Sequence, residues 1–181
     1  MVGLLGGSFN PAHEGHRYVS EVARKALPLD AVWWLVTPGN PLKRASELAD
    51  LLTRAALARQ IAPRRDVITG IEGVLGTHFT IDTVRALQRR FPAARFIWLM
   101  GSDNLAGFAR WKNWAAIAAL VPIVVVRRPG SALDTLKSPL LRRFGMKSRL
   151  TPPPCVLLLD GPRSPQSSTA LRMALEPRLM A

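Results

Sequence analysis

Strand-like runs alternate with helix-period segments along almost the whole of this chain, and no other feature of it restricts the fold as much. The runs are Val2–Leu5, Ala31–Val36, Asp66–Thr69, Arg95–Met100, Val121–Val126 and Cys155–Leu159. Several are apolar throughout, as strands buried on both faces must be, and such strands belong to parallel sheets covered by helices. Between them, Val19, Val22, Ala23 and Ala26 follow helical spacing, as do Leu48, Leu51, Leu52 and Ala55. Ile81, Val84 and Leu87 recur at i+3 and leave Arg85, Arg89 and Arg90 facing outward; a shorter helix is expected over Trp111–Ala119. The pattern predicts an α/β protein with a Rossmann-like, doubly wound parallel sheet in a single domain, residues 1–181. Ser131–Arg149 is charged and poorly patterned, and is expected to form a mobile excursion.

Open α/β sheets bind ligands beyond the carboxyl ends of their strands. After the first strand this chain reads Gly-Gly-Ser-Phe-Asn-Pro-Ala-His-Glu-Gly-His, Gly6 to His16. Gly6 and Gly7 allow close backbone approach, Asn10-Pro11 makes a turn, and a helix is expected to begin near His13. His13 and His16 then share one face of its first turn, where free N–H groups and the helix dipole attract anions. The residues favour a phosphate site. A packed or capping pair stays open, whereas a metal site needs a third ligand that nothing nearby supplies at suitable spacing. Near the other end, Ser167-Ser168-Thr169-Ala170-Leu171-Arg172 can cap a helix and put hydroxyls and a guanidinium on one side, either as a second phosphate cradle or as an ordinary cap beside a solvated arginine.

The first stretch resembles the G-G-T/S-F-D-P-x-H-x-G-H motif of the His-x-Gly-His nucleotidylyltransferases, with Ser8 and Asn10 where Thr and Asp are commonest. The second resembles their Ser-Ser-Thr-x-Ile-Arg motif, with Gln166 where an apolar residue is common. "THFTIDTVRAL", Thr77–Leu87, is similar to the Ser-x-Tyr-Thr-x-x-Thr segment of the bacterial nicotinate-mononucleotide adenylyltransferases, with Phe79 replacing Tyr. Val36–Lys43 and Phe96–Gly130 resemble two further blocks of that family, the second ending in Arg127-Arg128-Pro129-Gly130. The resemblance implies the nucleotidylyltransferase fold and an enzyme of NAD biosynthesis. It would move AMP from ATP to nicotinate mononucleotide, with Mg2+ bound mainly by substrate and water rather than by a protein metal site. It implies catalytic roles for His13, His16 and Arg172, with His16 the main contact to the transition state. ATP is assigned Gly6, Gly7, Ser8, Phe9, His13, His16, Lys43, Asp103, Ser168, Thr169 and Arg172; nicotinate mononucleotide is assigned Ser8, Lys43, Thr80, Trp111 and Lys112. Trp33, Trp34, Trp98 and Trp114 are read as core or interface, and His78 as structural or rim.

The net charge of +13 favours polyanions of any kind. No helix-turn-helix, zinc or RNP-type pattern accompanies it, so nucleic acid is not an expected partner, although a basic nucleic-acid-binding module stays open as an alternative; salt-sensitive DNA binding independent of ATP would mark it. Pantetheine-phosphate adenylyltransferase is the alternative within the superfamily, and those chains lack the Arg-Arg-Pro-Gly block. Cys155 is the single cysteine, and no basic leader or bilayer-length apolar run is present, so a cytoplasmic protein without a membrane partner is expected. Monomer and homo-oligomer both stay open.

Overall fold

The computed structural model describes residues 1–39, 48–127 and 137–161. Their strands are β1 (Val2–Gly7), β2 (Ala31–Val36), β3 (Val67–Thr69), β4 (Phe96–Gly101), β5 (Ile123–Val126) and β6 (Val156–Leu159). All pair in parallel, in the order β3-β2-β1-β4-β5-β6. The helices are α1 (Glu14–Ala26), α2 (Leu51–Ile61), α3 (Ile71–Leu75), α4 (Thr80–Arg90), α5 (Leu105–Phe108), α6 (Trp114–Leu120) and α7 (Pro139–Phe144). A 3-10 turn, Ser102–Asn104, follows β4.

The wholly apolar strands have the predicted consequence: side chains from both faces are buried. Leu4, Trp98, Met100, Ile123 and Val125 pack into one core with Ile81, Val84 and Leu87 of α4. Leu5, Trp34, Val36, Leu99 and Val124 pack into the other with Val19, Val22 and Ala23 of α1. Strand order reverses between β1 and β4, which leaves a crevice where their carboxyl ends diverge. No helix among the described residues is long and apolar enough to cross a membrane.

Two expectations need correction. The face of α2 is not Leu48, Leu51, Leu52 and Ala55: Leu52 is 78% exposed, and the residues buried are Arg54, Ala55 and Ala58. Asp50 caps this helix through Leu52 N and Thr53 N, which sets its phase so that an arginine turns inward. Nor is all of Ser131–Arg149 an excursion. Ser138 caps α7, Leu140 and Leu141 are buried, and Lys147 bridges to Leu157 of β6. A six-residue helix flanked by cations is too short to show a period. Residues 131–136 lie outside the described residues.

Candidate active site

At the β1/β4 reversal lies a cavity of about 700 Å³. Part of its wall is the pair of strand-end glycines. An added Cβ at Gly6 would stand 2.5 Å from Trp98 Cη2, and Trp98 is buried and packs edge-on to Trp111, with ring centroids 5.8 Å apart. Gly6 is therefore required by close approach. Gly6→Ala should cost about 1–3 kcal/mol by overpacking, read from urea denaturation; an unchanged midpoint would show that Trp98 can move aside freely.

The turn after β1 is held from below. Phe9 has φ +47°, a left-handed conformation rare for a side chain of its size, and it is buried. Its ring stacks on Trp34 at 5.2 Å and meets the edge of His16 at 4.8 Å. Trp34 in turn donates from Nε1 to Asp66 Oδ2 at 2.9 Å, and Ser20 Oγ donates to the same oxygen. Burial pushes the Asp66 carboxyl up, against the opposing pull of Ser20, Trp34 and Arg24.

The two histidines form the start of α1 in unequal ways. His13 is the N-cap, and its Nδ1 accepts from Gly15 N at 3.0 Å. His16 occupies the third helical position, and its Nδ1 accepts from His13 N at 3.3 Å. The rings lie 3.8 Å apart. A neutral imidazole that accepts at Nδ1 carries its proton on Nε2, so both capping bonds select the same tautomer, in which Nε2–H is the one ring donor. His16 lines the cavity; His13 is 3% exposed and is not among the lining residues.

The opposite wall comes from α4 and the segment before α6. Thr80 is the first residue of α4, and its N-cap, Phe79, makes no side-chain capping bond. The first N–H groups of a helix have no partner within it. Lys112 Nζ lies 3.3 Å from Asp82 Oδ2 and 4.2 Å from the Phe79 ring centroid, joining the 111–112 segment to this helix start. Trp111 is half-buried against Phe108, and Asp103 stands exposed on the 3-10 turn. Gly6, Gly7, Ser8, Phe9, His16, Thr80, Asp103, Trp111 and Lys112 thus all line one cavity. Lys43, Ser168, Thr169 and Arg172 lie outside the described residues.

Sequence reading missed two buried groups at this site. Glu72 lines the cavity, is 6% exposed, and its Oε1 lies 3.0 Å from Thr83 Oγ1; burial pushes its carboxyl up. Arg54 is 1% exposed and bonds to main-chain carbonyls behind the turn. Neither sits in a pattern that separates it from a surface charge. His78 is exposed on the cavity rim, and Trp98, read as core, also forms part of the wall.

A cytidylyltransferase-like family profile matches residues 4–174. A protein of Erythrobacter litoralis named "Probable nicotinate-nucleotide adenylyltransferase" is 48% identical over 95% of this chain and 83% of its own length. One of the same name from Methylorubrum extorquens is 46% identical over 94% of this chain and 98% of its own. The chain belongs to the nicotinate-nucleotide adenylyltransferase family. The nicotinic acid mononucleotide adenylyltransferase of Plasmodium falciparum, solved in complex with NaAD, superposes with a TM-score of 0.71 at 16% identity, over 96% of this chain and 83% of that one. At that identity the likeness shows the fold, and it is the adenylyltransferase fold. In this chain the strand reversal that places the cavity follows from the sheet order, and wall residues come from the segments after β1 and β4 and from the start of α4.

Proposed function

We infer that this chain transfers the adenylyl group of ATP to the phosphate of nicotinate mononucleotide, giving nicotinate adenine dinucleotide and pyrophosphate. The observation that carries this reading is a single cavity at the strand reversal with two unlike walls, a glycine turn with a histidine on one side and an uncapped helix start with a tryptophan on the other. Relatives at 46–48% identity named for this activity support it.

In the proposed reaction an oxygen of the acceptor phosphate attacks the α-phosphorus. The bond from that phosphorus to the bridging oxygen breaks, and its electrons leave with pyrophosphate. The attacking oxygen is already ionised at neutral pH, so no general base is needed; catalysis is positioning and charge stabilisation. The Nε2–H of His16 would donate to the phosphate oxygens as charge moves to the leaving group, with His13 holding the helix start behind it. By motif, Arg172, Ser168 and Thr169 would hold the β- and γ-phosphates, and Lys43 would add charge. Asp103 would accept from ribose hydroxyls. Mg2+ would accompany the ATP phosphates and offset their charge, bound mainly by substrate and water. A cytoplasmic setting suits the buried thiol of Cys155.

The acceptor ring would stack on Trp111, and its carboxylate would meet the N–H donors at Thr80 and around Lys112. Two acceptor oxygens suit such donors, whereas an amide turns an NH₂ toward one of them. A mismatched buried donor costs about 1–3 kcal/mol. Pyrophosphate release from ATP and Mg2+ with a panel of acceptors tests this. Nicotinate mononucleotide should exceed nicotinamide mononucleotide by about tenfold or more in kcat/KM. Equal use of the two would sink the acceptor pocket, and turnover of phosphopantetheine alone would reassign the enzyme.

A further inference from the structure

Arg54 is almost wholly buried, at 1% exposure. Its partners are three carbonyls from three separate segments. Nη1 donates to Ser8 O at 2.6 Å and to Thr37 O at 2.9 Å, and Nε donates to Ala49 O at 2.7 Å. Ser8 belongs to the turn after β1, Thr37 follows β2, and Ala49 precedes α2. Ser8 and Thr37 both line the cavity. A guanidinium cannot give up its proton under ordinary conditions, so a buried one persists only where its donors are matched. Here three N–H···O bonds run to backbone carbonyls, two of them on residues that line the cavity. The arrangement is costly for a structural tie alone, because an apolar residue at this point of α2 would fill the core without desolvating a charge.

We propose that Arg54 is a positioning residue for the phosphate-binding turn. It pins the Ser8 carbonyl to the end of β2, which fixes the direction of the N–H groups and of His16 beyond it. It touches neither substrate. The proposal rests on the reading of the cavity as an ATP site, and its test separates the two.

Arg54→Met and Arg54→Lys provide that test. Lysine can place its ammonium where Nη1 stands and keep the Ser8 and Thr37 bonds, while losing the one to Ala49; methionine loses all three. In the free protein, amide hydrogen exchange at residues 7–10 should accelerate in the methionine variant, with residues 79–81 and 111–112 unchanged. ATP affinity, measured by calorimetry without acceptor, should fall about tenfold or more in the methionine variant and recover most of that loss in the lysine variant. The ratio of acid to amide acceptor use should not move, because the ring wall is built elsewhere. A folded methionine variant with native exchange at 7–10, or with exchange raised equally at 79–81, overturns the proposal. If methionine prevents folding, Arg54→Gln decides, because it is too short to reach the Ser8 and Thr37 carbonyls together: faster exchange at 7–10 with an unmoved acceptor ratio supports the proposal, and native exchange there overturns it. Faster exchange at 7–10 in a protein that never bound ATP would leave Arg54 as the pin of the turn and remove the ATP reading.

Discussion

His16→Ala should lower kcat by about 10²–10³-fold, with ATP KM changed far less, as when one preorganised donor to a developing charge is removed. Two roles meet in this side chain. Nδ1 accepts from His13 N at 3.3 Å, and the residue lines the cavity, where the proposed reaction uses its Nε2–H. The roles can be divided. Asparagine sets an acceptor near the Nδ1 position but reaches no further, so His16→Asn should keep the helix start and stay slow. Glutamine extends to the Nε2 position and should regain part of the rate. Steady-state kinetics beside thermal denaturation makes the comparison. Wild-type turnover in a folded His16→Ala protein would remove this residue from the reaction. A rate restored by asparagine would show that capping, and not donation, was what mattered.

Trp111→Ala should reduce kcat/KM for nicotinate mononucleotide by about 10–100-fold, the scale of losing one aromatic platform under a flat ring. The loss should fall mainly on the acceptor KM and leave ATP binding nearly intact, since the phosphate turn lies across the cavity. Acid and amide acceptors should suffer alike, because stacking does not sense the ring substituent. Trp111 also supports Trp98 edge-on at 5.8 Å and Phe108 at 5.0 Å, so some stability will go with it. Trp111→Phe keeps a ring in place and separates the effects: it should recover much of the acceptor affinity. If alanine alters ATP and acceptor equally, Trp111 is a packing residue of the wall and the ring must sit elsewhere.

Most of the site's first wall was legible in the sequence because its signals are local. A strand that ends in two glycines, an Asn-Pro turn and a helix whose first turn holds two histidines occupy consecutive residues, and backbone sterics and capping act over that range. The asymmetry of His13 and His16 was not legible. Spacing puts both on one face of a turn, and only the completed cap shows that one ring is buried under the other. The second wall, Thr80 with Trp111 and Lys112, was assigned by resemblance; residue types alone would have left Trp111 in the core. Glu72 was missed because a carboxylate two residues into a short helix looks solvated until Thr77 and Thr83 close around it.

By itself, then, the sequence determined what depends on near neighbours. Wholly apolar runs such as Ile123–Val126 cannot stop at a sheet face and require helices on both sides. The period of Ile81, Val84 and Leu87 placed α4 and its outward arginines correctly, because burial and period agree there. Tertiary structure decided where distant segments had to meet. α2 has too weak an apolar stripe to choose its own face, and its phase came from the Asp50 cap and from carbonyls 46 and 17 residues away that accept from Arg54. Hydrogen bonds of that span have no periodic signature. They turned a residue that reads as surface charge into the buried support of the turn on which the proposed chemistry rests.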